Sequence, residues 1–206
     1  MMSLDKSSGR KNLAVFVSGS GTNLQAIMDA CDSGELFATV SLVVADNDSC
    51  FALKRAESAG TQTFIQDKKQ MRLLDAEGKK EAHQALLQAL KSHQIDLVVL
   101  AGYLSLIDQS LVTAYPKGII NLHPALIPLY CGKGYYGDKV HREVLANGET
   151  ESGITIHFVD GGFDTGEIIL QKKVPVYKDD TVETLSARIH ALEHEELKQV
   201  IKKLLL

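Results

Sequence analysis

The sequence is short of the residue types on which several classes of protein depend. Its 206 residues include no tryptophan, 4 prolines and 3 cysteines, which are Cys31, Cys50 and Cys131. The cysteines are odd in number, far apart and without a CxxC pair, which argues against a disulfide framework and against a structural zinc site. This cysteine usage fits a reducing compartment.

Long apolar runs and an excess of positive charge are missing as well. No apolar stretch approaches the roughly 20 residues that a membrane-spanning helix requires, and the polar segment 1–11 lacks the apolar core of a signal peptide. The formal net charge is −4, which disfavours nucleic acids and anionic membranes as partners. We therefore expect a cytoplasmic protein with neither kind of partner.

What the chain does contain is a regular alternation of apolar runs and amphipathic stretches. Runs such as 13–17 and 97–101 are apolar throughout, which is typical of strands buried on both faces. Their alternation with helical patterns indicates βαβ units, and we predict an α/β fold with three layers, α/β/α, and a mostly parallel, Rossmann-like sheet. In the absence of repeats and linkers, we expect 1–206 to form a single domain, with 1–11 as a flexible tail.

Boundaries for these elements follow from apolar spacing and turn residues. The predicted strands are 13–17, 39–45, 61–65, 97–101, 118–123, 155–159 and 167–177. The predicted helices are 24–30, 51–58, 81–92, 138–147 and 181–206. The last helix is expected to start with Asp180 as its N-cap and Glu183 at the capping-box position.

A glycine loop (18–23, SGSGTN) separates the first strand from the first helix, for which Thr22 or Asn23 is the expected N-cap. A strand, a glycine turn and a helix N-terminus together form an anion site, because free N–H groups and the helix dipole converge there. The loop lacks Gly-Lys-Ser/Thr and the third glycine of a dinucleotide fingerprint, so a single phosphate group fits best. A tight turn without a ligand is the alternative.

Asn121 and His123 lie two residues apart at the end of a predicted strand, so both side chains face the same side of the sheet. The pair joins an amide donor to a group whose charge changes near neutral pH, which suits stabilisation of an oxyanion during proton transfer. An acid such as Asp164, in the turn-rich loop 160–166, would raise the pKa of His123 if it lay nearby. Turn-forming Asn and His residues, and a solvated Asp164, are the alternatives.

Two further segments could border this site. Residues 103–107 follow the fourth strand and are mostly apolar, so they either line a pocket for a flat ligand or start a packed helix. The segment 129–137 holds three glycines and three tyrosines and is a candidate lid.

The last helix carries His190-Ala191-Leu192-Glu193-His194, which matches the H-x-x-E-H zinc pattern. Only 12 residues follow His194, which leaves little chain for a third ligand downstream. A partly solvated helix face explains the spacing more simply than a zinc site does.

Taken together, these motifs resemble the folate-dependent formyltransferases, and within them the phosphoribosylglycinamide formyltransferases of purine biosynthesis. The likeness runs from about Lys11 to the C-terminus and rests on SGSGTNLQAI (18–27), LAGYLSLI (100–107), INLHPALIP (120–128), GITIHFVDGGFDTGEIILQ (153–171) and ALEH (191–194). The order Asn, His, Asp is common to the wider group. The glycine loop and the chain length point to the branch that uses glycinamide ribonucleotide.

The resemblance implies a role for each matching residue. Asn121, His123 and Asp164 would be catalytic. The nucleotide substrate would be held by Gly21, Thr22, Asn23, His190 and Glu193, which gives the H-x-x-E-H pattern an explanation without metal. The formyl donor 10-formyltetrahydrofolate would contact Lys80, Leu104, Ser105, Leu106, Ile107, Asn121, Asp160 and Asp164.

The implied reaction moves the formyl group from 10-formyltetrahydrofolate to the amine of glycinamide ribonucleotide, in a monomer or homodimer. Three features depart from the family pattern: the longer segment 129–137, Lys80 (or Lys79) in place of an arginine, and Ser105 in place of a charged residue. A 10-formyltetrahydrofolate hydrolase or a sugar-nucleotide formyltransferase would share the same three residues. A non-catalytic module that binds a phosphate ligand would explain the glycine loop but not Asn121 and His123.

Overall fold

The computed structural model describes residues 9–206, which form seven strands and seven helices. The strands are β1 (Lys11–Val17), β2 (Ala38–Ala45), β3 (Thr63–Ile65), β4 (Leu97–Leu100), β5 (Ile119–His123), β6 (Glu151–Phe158) and β7 (Ile168–Pro175). The helices are α1 (Thr22–Asp32), α2 (Phe51–Ser58), α3 (Lys68–Leu73), α4 (Ala76–Ser92), α5 (Gln109–Ala114), α6 (Asp138–Ala146) and α7 (Val182–Leu204). Of the predicted tail, 1–8 lie outside the described residues, and Lys11 already belongs to β1.

The described strands form one sheet in the order β3-β2-β1-β4-β5-β6-β7. Neighbouring strands from β3 to β5 run parallel, whereas β6 is antiparallel to both β5 and β7. The predicted α/β fold with a mostly parallel sheet is thereby confirmed. The strand order reverses between β1 and β4, and in open α/β sheets such a reversal creates a crevice at the carboxyl ends of the strands.

Helices cover both faces of this sheet because its central strands are apolar on both sides. Leu13 and Val15 of β1 belong to a buried cluster that also holds core residues of α1 and α7. The alternate residues, Ala14 and Phe16, belong to a second cluster with core residues of α4 and α5. The three predicted layers follow from this alternation.

The start of α1 differs from its prediction. The helix begins at Thr22, and its N-cap is Gly21, which has φ +71° and no side-chain cap. The assignment of the N-cap to Thr22 or Asn23 is therefore wrong. A left-handed residue at this corner favours glycine, and the Asn23 amide is turned away toward α7.

The predicted capping of α7 is also wrong. Its N-cap is Thr181, and Thr184 completes the capping box. Asp180 has other partners: its carboxylate accepts hydrogen bonds from the backbone of Tyr177 and from both terminal nitrogens of Arg188. Sequence spacing alone could not reveal this competing use of Asp180.

The charged stretch 67–80 contains more helix than the sequence indicated. It holds α3 and the start of α4, whose N-caps Asp67 and Asp75 accept hydrogen bonds from backbone N–H groups. Helix α3 has no buried residue, so it leaves no apolar periodicity to detect. No helix within residues 9–206 is both long enough and apolar enough to cross a membrane.

Candidate active site

A cavity of about 250 Å³ opens at the carboxyl ends of β1, β4 and β5. Its lining includes the glycine loop, the segment after β4, parts of the loops 129–137 and 160–166, and one face of α7. The predicted site residues that line it are Gly21, Thr22, Asn23, Leu104, Ser105, Leu106, Ile107, Asn121, His123, Asp164, His190 and Glu193. The fold therefore brings together segments that are far apart in sequence.

Two predicted site residues do not line this cavity. Lys80 lies on α4, is largely exposed and pairs with Glu77 at 3.1 Å. The exposed Asp160 accepts hydrogen bonds from the Gly162 N–H and the Thr165 hydroxyl. Its observed contacts hold the loop that carries Asp164.

Residues 19–23 of the glycine loop line the cavity. A Cβ built on Gly21 would lie 2.6 Å from the Cβ of Ala52 on α2, so this corner accepts only glycine without rearrangement. The first turn of α1 contains no acidic residue, and its free N–H groups suit an anion. Arg55 of α2 adds a cation that sequence reasoning missed: its Nε donates to Ser20 O at 2.9 Å.

Beside the glycine loop, α1 and α7 meet through two buried polar side chains. Asn23 Nδ2 donates to Glu193 Oε2 at 2.9 Å, and His190 Nε2 lies 3.9 Å from the same oxygen. Asn23 Oδ1 is buried without a protein partner. Burial raises the pKa of Glu193, against the opposing effects of Asn23 and His190. Asn23 Oδ1 thus remains available to accept a hydrogen bond from a ligand in this corner.

Asn121, His123, His157 and Asp164 form a polar cluster in the lining of the cavity. Asn121 Nδ2 donates to Asp164 Oδ1 at 3.1 Å, and His123 Nδ1 lies 3.6 Å from Asp164 Oδ2. Asp164 reaches this place from a backbone with φ +56°, which is uncommon for a residue other than glycine. Asp164 therefore lies beside the Asn–His pair, an arrangement that the sequence had left open.

His157 is the member of the polar cluster that the sequence did not reveal. It lies opposite Asn121 in the β5–β6 register and accepts a hydrogen bond from Asn121 Nδ2 at 3.1 Å. Its Nδ1 carries the ring proton, because it is 2.8 Å from Phe158 O, which can only accept. Strand β6 was predicted, but only its pairing register identifies His157 as a neighbour of Asn121.

Burial dominates the electrostatics of His123. It lowers the pKa of His123, and this effect exceeds the upward pull of the Asp164 carboxylate and the Tyr130 carbonyl. Burial raises the pKa of Asp164, but its contacts with His157, His123 and the Gly132 N–H outweigh that effect, so the pKa is lowered. The upward pull of Asp164 on the pKa of His123 exists, but burial is the larger effect.

The segment 103–107 lines the cavity instead of starting a helix. Leu104 N donates to Ser18 Oγ, and Ser105 Oγ donates to the fully buried Asp46, at 2.9 and 2.8 Å. These bonds hold the segment open while Leu104 and Leu106 stay 43% and 52% exposed. Exposed leucines on a fixed backbone offer an apolar surface to a flat ligand.

The loop 129–137 reaches the polar cluster directly. His123 Nε2 donates to Tyr130 O, and Gly132 N donates to Asp164 Oδ2, both at 2.8 Å. Tyr135 and Tyr136 line the cavity. The loop lies where a lid would, and its movement remains a prediction.

The H-x-x-E-H residues do not converge on a common point. Glu193 is engaged by Asn23, while the rings of His190 and His194 stack at 6.4 Å. Within residues 9–206, no group of three or more His, Cys, Asp or Glu side chains could hold a metal ion. The contacts of Glu193 therefore place it in the corner between α1 and α7.

Residues 11–201 match the formyl transferase family. A chloroplastic phosphoribosylglycinamide formyltransferase of Vigna unguiculata is 41% identical over 195 residues, which cover 95% of this chain and 61% of the relative. The chain thus spans less than two thirds of that longer protein. The phosphoribosylglycinamide formyltransferase of Bacillus subtilis is 38% identical over 195 residues, 95% of each chain.

Similarity extends to solved structures. The crystal structure of phosphoribosylglycinamide formyltransferase from Bacillus halodurans superposes with a TM-score of 0.85 and 34% identity, covering 95% of both chains. A glycinamide ribonucleotide transformylase from Geobacillus kaustophilus gives a TM-score of 0.84 at 38% identity. The match over nearly the whole sequence, together with the shared fold, shows that this chain belongs to the formyl transferase family.

Proposed function

We propose that the chain transfers the formyl group of 10-formyltetrahydrofolate to the amine of glycinamide ribonucleotide, giving formylglycinamide ribonucleotide and tetrahydrofolate in purine biosynthesis. One observation carries this proposal: the glycine loop with the N-terminus of α1, the apolar segment 104–107 and the polar cluster all line the same cavity. The names of the relatives agree with this reading.

At the nucleotide end, the proposed phosphate contacts are Gly21, Thr22 and Asn23. The backbone N–H groups at the start of α1 favour a dianion, which would explain why its first turn carries no acidic side chain. His190 and Glu193 would contact the sugar portion next to the phosphate. Neutral hydroxyl groups suit a buried carboxylate because they donate hydrogen bonds without bringing a second charge.

At the folate end, Leu104, Ser105, Leu106 and Ile107 would receive the pterin. Asp164 and Asn121 would border the formyl group, and Asp160, which also holds the loop 160–166 through Gly162 and Thr165, would contact the folate from that loop. Lys80 remains our proposed partner for the glutamate tail of the folate, which would have to extend beyond the cavity to reach it. Lysine retains the charge of an arginine at this place but not its bidentate geometry.

In the proposed reaction, the substrate amine attacks the formyl carbon on N10 of the folate, and a new C–N bond forms. Asn121 Nδ2 and, in the protonated imidazole, His123 Nδ1 both face the Asp164 carboxylate, so the same two N–H groups can donate to the oxyanion. Collapse of the tetrahedral intermediate breaks the bond to N10. One proton passes from the amine to N10, and we assign this transfer to Asp164 through a water. A donor to the oxyanion, such as Asn121, typically accelerates the reaction by about 10²–10³.

The proposal is tested by measuring tetrahydrofolate release from 10-formyltetrahydrofolate, with and without glycinamide ribonucleotide, in the wild type and in His123→Ala. We expect release only with the nucleotide, its loss in the variant, and no effect of a chelator. Release without the nucleotide would indicate a hydrolase, and release that requires a sugar nucleotide would indicate another formyltransferase. A folded protein that binds phosphate ligands but releases no product would be a binding module.

We further propose that 1–206 acts as a single cytoplasmic domain, with small-molecule substrates as its partners and neither nucleic acid nor membrane among them. We expect a monomer or a homodimer. Light scattering on a size-exclusion column, at several protein concentrations, measures the oligomeric state directly.

A further inference from the structure

Tyr130 connects the polar cluster to the far end of α6. Its carbonyl accepts the hydrogen bond from His123 Nε2 at 2.8 Å, while its hydroxyl donates to Glu149 Oε1 at 2.7 Å. Tyr130 has φ +52°, a left-handed conformation that is uncommon for a residue other than glycine and persists where surrounding contacts maintain it. One residue therefore joins a cluster imidazole to a carboxylate outside the cavity lining.

Glu149 is a fixed support for this hydroxyl. Helix α6 ends in a C-terminal turn in which Gly148, with φ +63°, donates to Leu145 O, and Glu149 N donates to Val144 O. This double closure sets the backbone of Glu149. The edge-on contact between the rings of Tyr130 and Tyr135, at 6.4 Å, adds a second restraint on the loop.

The two ring nitrogens of His123 face different acceptors. Nε2 is bound by Tyr130 O at 2.8 Å, whereas Nδ1 lies 3.6 Å from Asp164 Oδ2. A neutral imidazole has a single N–H proton, so these two acceptors compete for it, and the shorter contact holds it on Nε2. A second proton then adds at Nδ1, the nitrogen beside Asp164 and Asn121.

We propose that Tyr130 and Glu149 are positioning residues that hold the Tyr130 carbonyl on His123 Nε2, so that the second proton of the imidazolium adds at Nδ1, the nitrogen that donates to the oxyanion. The catalytic part of this inference rests on the proposed function, because it gives His123 a role in the reaction. The structural part, the choice of ring nitrogen, does not depend on any substrate. Both parts can be measured separately.

Tyr130→Phe is the decisive variant, because it removes the hydroxyl and keeps the ring. Glu149→Ala removes the acceptor, whereas Glu149→Gln retains an acceptor oxygen. Glu143→Ala is the matched control: this glutamate lies on α6, and its side chain has no hydrogen bond to Tyr130. Circular dichroism and thermal unfolding establish that each variant is folded.

The first readout is the tautomer of His123, from the ¹⁵N NMR of histidine-labelled protein, assigned by comparison with His123→Ala. We expect the Nε2–H tautomer in the wild type, Glu149→Gln and Glu143→Ala. In Tyr130→Phe and Glu149→Ala, the proton is expected to shift toward Nδ1, where Asp164 can accept it. An unchanged tautomer in folded Tyr130→Phe, or in Glu149→Ala if the first variant does not fold, would overturn the inference.

The second readout is the split between kcat and KM. A small displacement of a catalytic group can cost up to about 10²-fold in rate, so we expect kcat to fall roughly tenfold or more in both disruptive variants, with both KM values near wild type. The double variant should be no slower than Tyr130→Phe alone, because both changes remove the same hydrogen bond. A shifted tautomer with normal kcat would overturn the positioning role, whereas a wild type without formyl transfer would overturn the proposed function instead.

Discussion

Asp164 is the residue on which the polar cluster depends, since it accepts from Asn121 and from the Gly132 N–H and faces both imidazoles. Its carboxylate raises the pKa of His123 against the stronger effect of burial. In Asp164→Asn this upward pull disappears, so the pKa of His123 falls further and less imidazolium is present at any given pH. We expect nearly normal binding of both substrates and a loss in kcat of about 10²-fold or more.

The pH dependence of kcat tests the sign of this effect. If the imidazolium is the active form, kcat of the wild type falls as the pH rises through the pKa of His123. In Asp164→Asn the same fall should begin at lower pH. A variant with full kcat, or with an unshifted profile, would contradict the role given to Asp164.

The residues of this cluster were predictable to different degrees. Asn121 and His123 could be predicted because a strand alternates its faces, so a spacing of two places both on one side. The contact of Asp164 with them depends on the left-handed backbone of a loop, for which the sequence offered only flanking glycines. His157 could not be found, because its place opposite Asn121 depends on the register between β5 and β6.

Among the elements, the unit formed by β1, the glycine loop and α1 has the tightest steric requirement. Gly21→Ala would place a Cβ 2.6 Å from Ala52 Cβ at φ +71°. Overpacking of this kind costs about 1–3 kcal/mol, and relief of the clash would displace the N–H groups at the start of α1. We expect lower stability and a raised KM for glycinamide ribonucleotide, with the KM for the folate little changed.

Steady-state kinetics with each substrate varied in turn measures this difference. Gly34→Ala is the matched control, because Gly34 also has a positive φ (+80°), its added methyl group meets nothing within 4 Å, and it does not line the cavity. A Gly21→Ala enzyme that raises both KM values equally, or neither, would refute the assignment of this corner to the nucleotide.

Helix α7 is fixed at its start by the bidentate pair of Arg188 and Asp180, at 2.7 and 2.8 Å. This pair, chiefly the hydrogen bond from Arg188, holds the pKa of Asp180 well below its usual range. Hydrogen bonds to charged groups contribute about 1.5–3 kcal/mol, and we expect Arg188→Met to lower the free energy of unfolding by about that amount at pH 7.

The sign of its pH dependence follows from linkage. Because the folded pKa is depressed, the contribution of Asp180 is complete above its unfolded pKa of about 3.9 and is lost as the pH falls toward the folded value. The difference between wild type and Arg188→Met should therefore shrink below about pH 4. Urea unfolding at pH 7 and pH 3 measures it. Lys173→Met, which breaks a pair that is 63% and 55% exposed, is the control and should cost less than about 1 kcal/mol.

Element positions were easier to predict than their ends. The boundaries of α2 were predicted correctly from apolar spacing, and the buried strands from continuous apolar runs. The N-caps of α1 and α7 were misassigned because tertiary contacts decide both. Gly21 packs against Ala52, and Asp180 is bound by Arg188. Local sequence preferences do not contain that information.

Across the whole molecule, the nucleotide corner joins distant parts of the chain, since Asn23 and Glu193 are separated by 170 positions in the sequence. In Asn23→Ala, Glu193 loses its buried donor, and an unsatisfied buried group costs about 1–3 kcal/mol or more when charged. The raised pKa of Glu193 should rise further, because Asn23 is one of the groups that lowers it. We therefore expect a lower melting temperature and weaker nucleotide binding.

Ligand-induced stabilisation distinguishes these two effects, because a ligand at 100 times its Kd stabilises the native state by about 2.7 kcal/mol. The wild type should be stabilised by glycinamide ribonucleotide and by the folate separately. Asn23→Ala should lose most of the shift in melting temperature that the nucleotide causes. It should keep the shift that the folate causes, since the apolar surface of 104–107 does not involve α7. Glu35→Ala, which removes a surface pair at 3.1 Å between the turn after α1 and Lys198 of α7, should keep both shifts. If Asn23→Ala lost both shifts equally, the nucleotide and folate contacts would form one cooperative site, and the separation proposed for them above would be wrong.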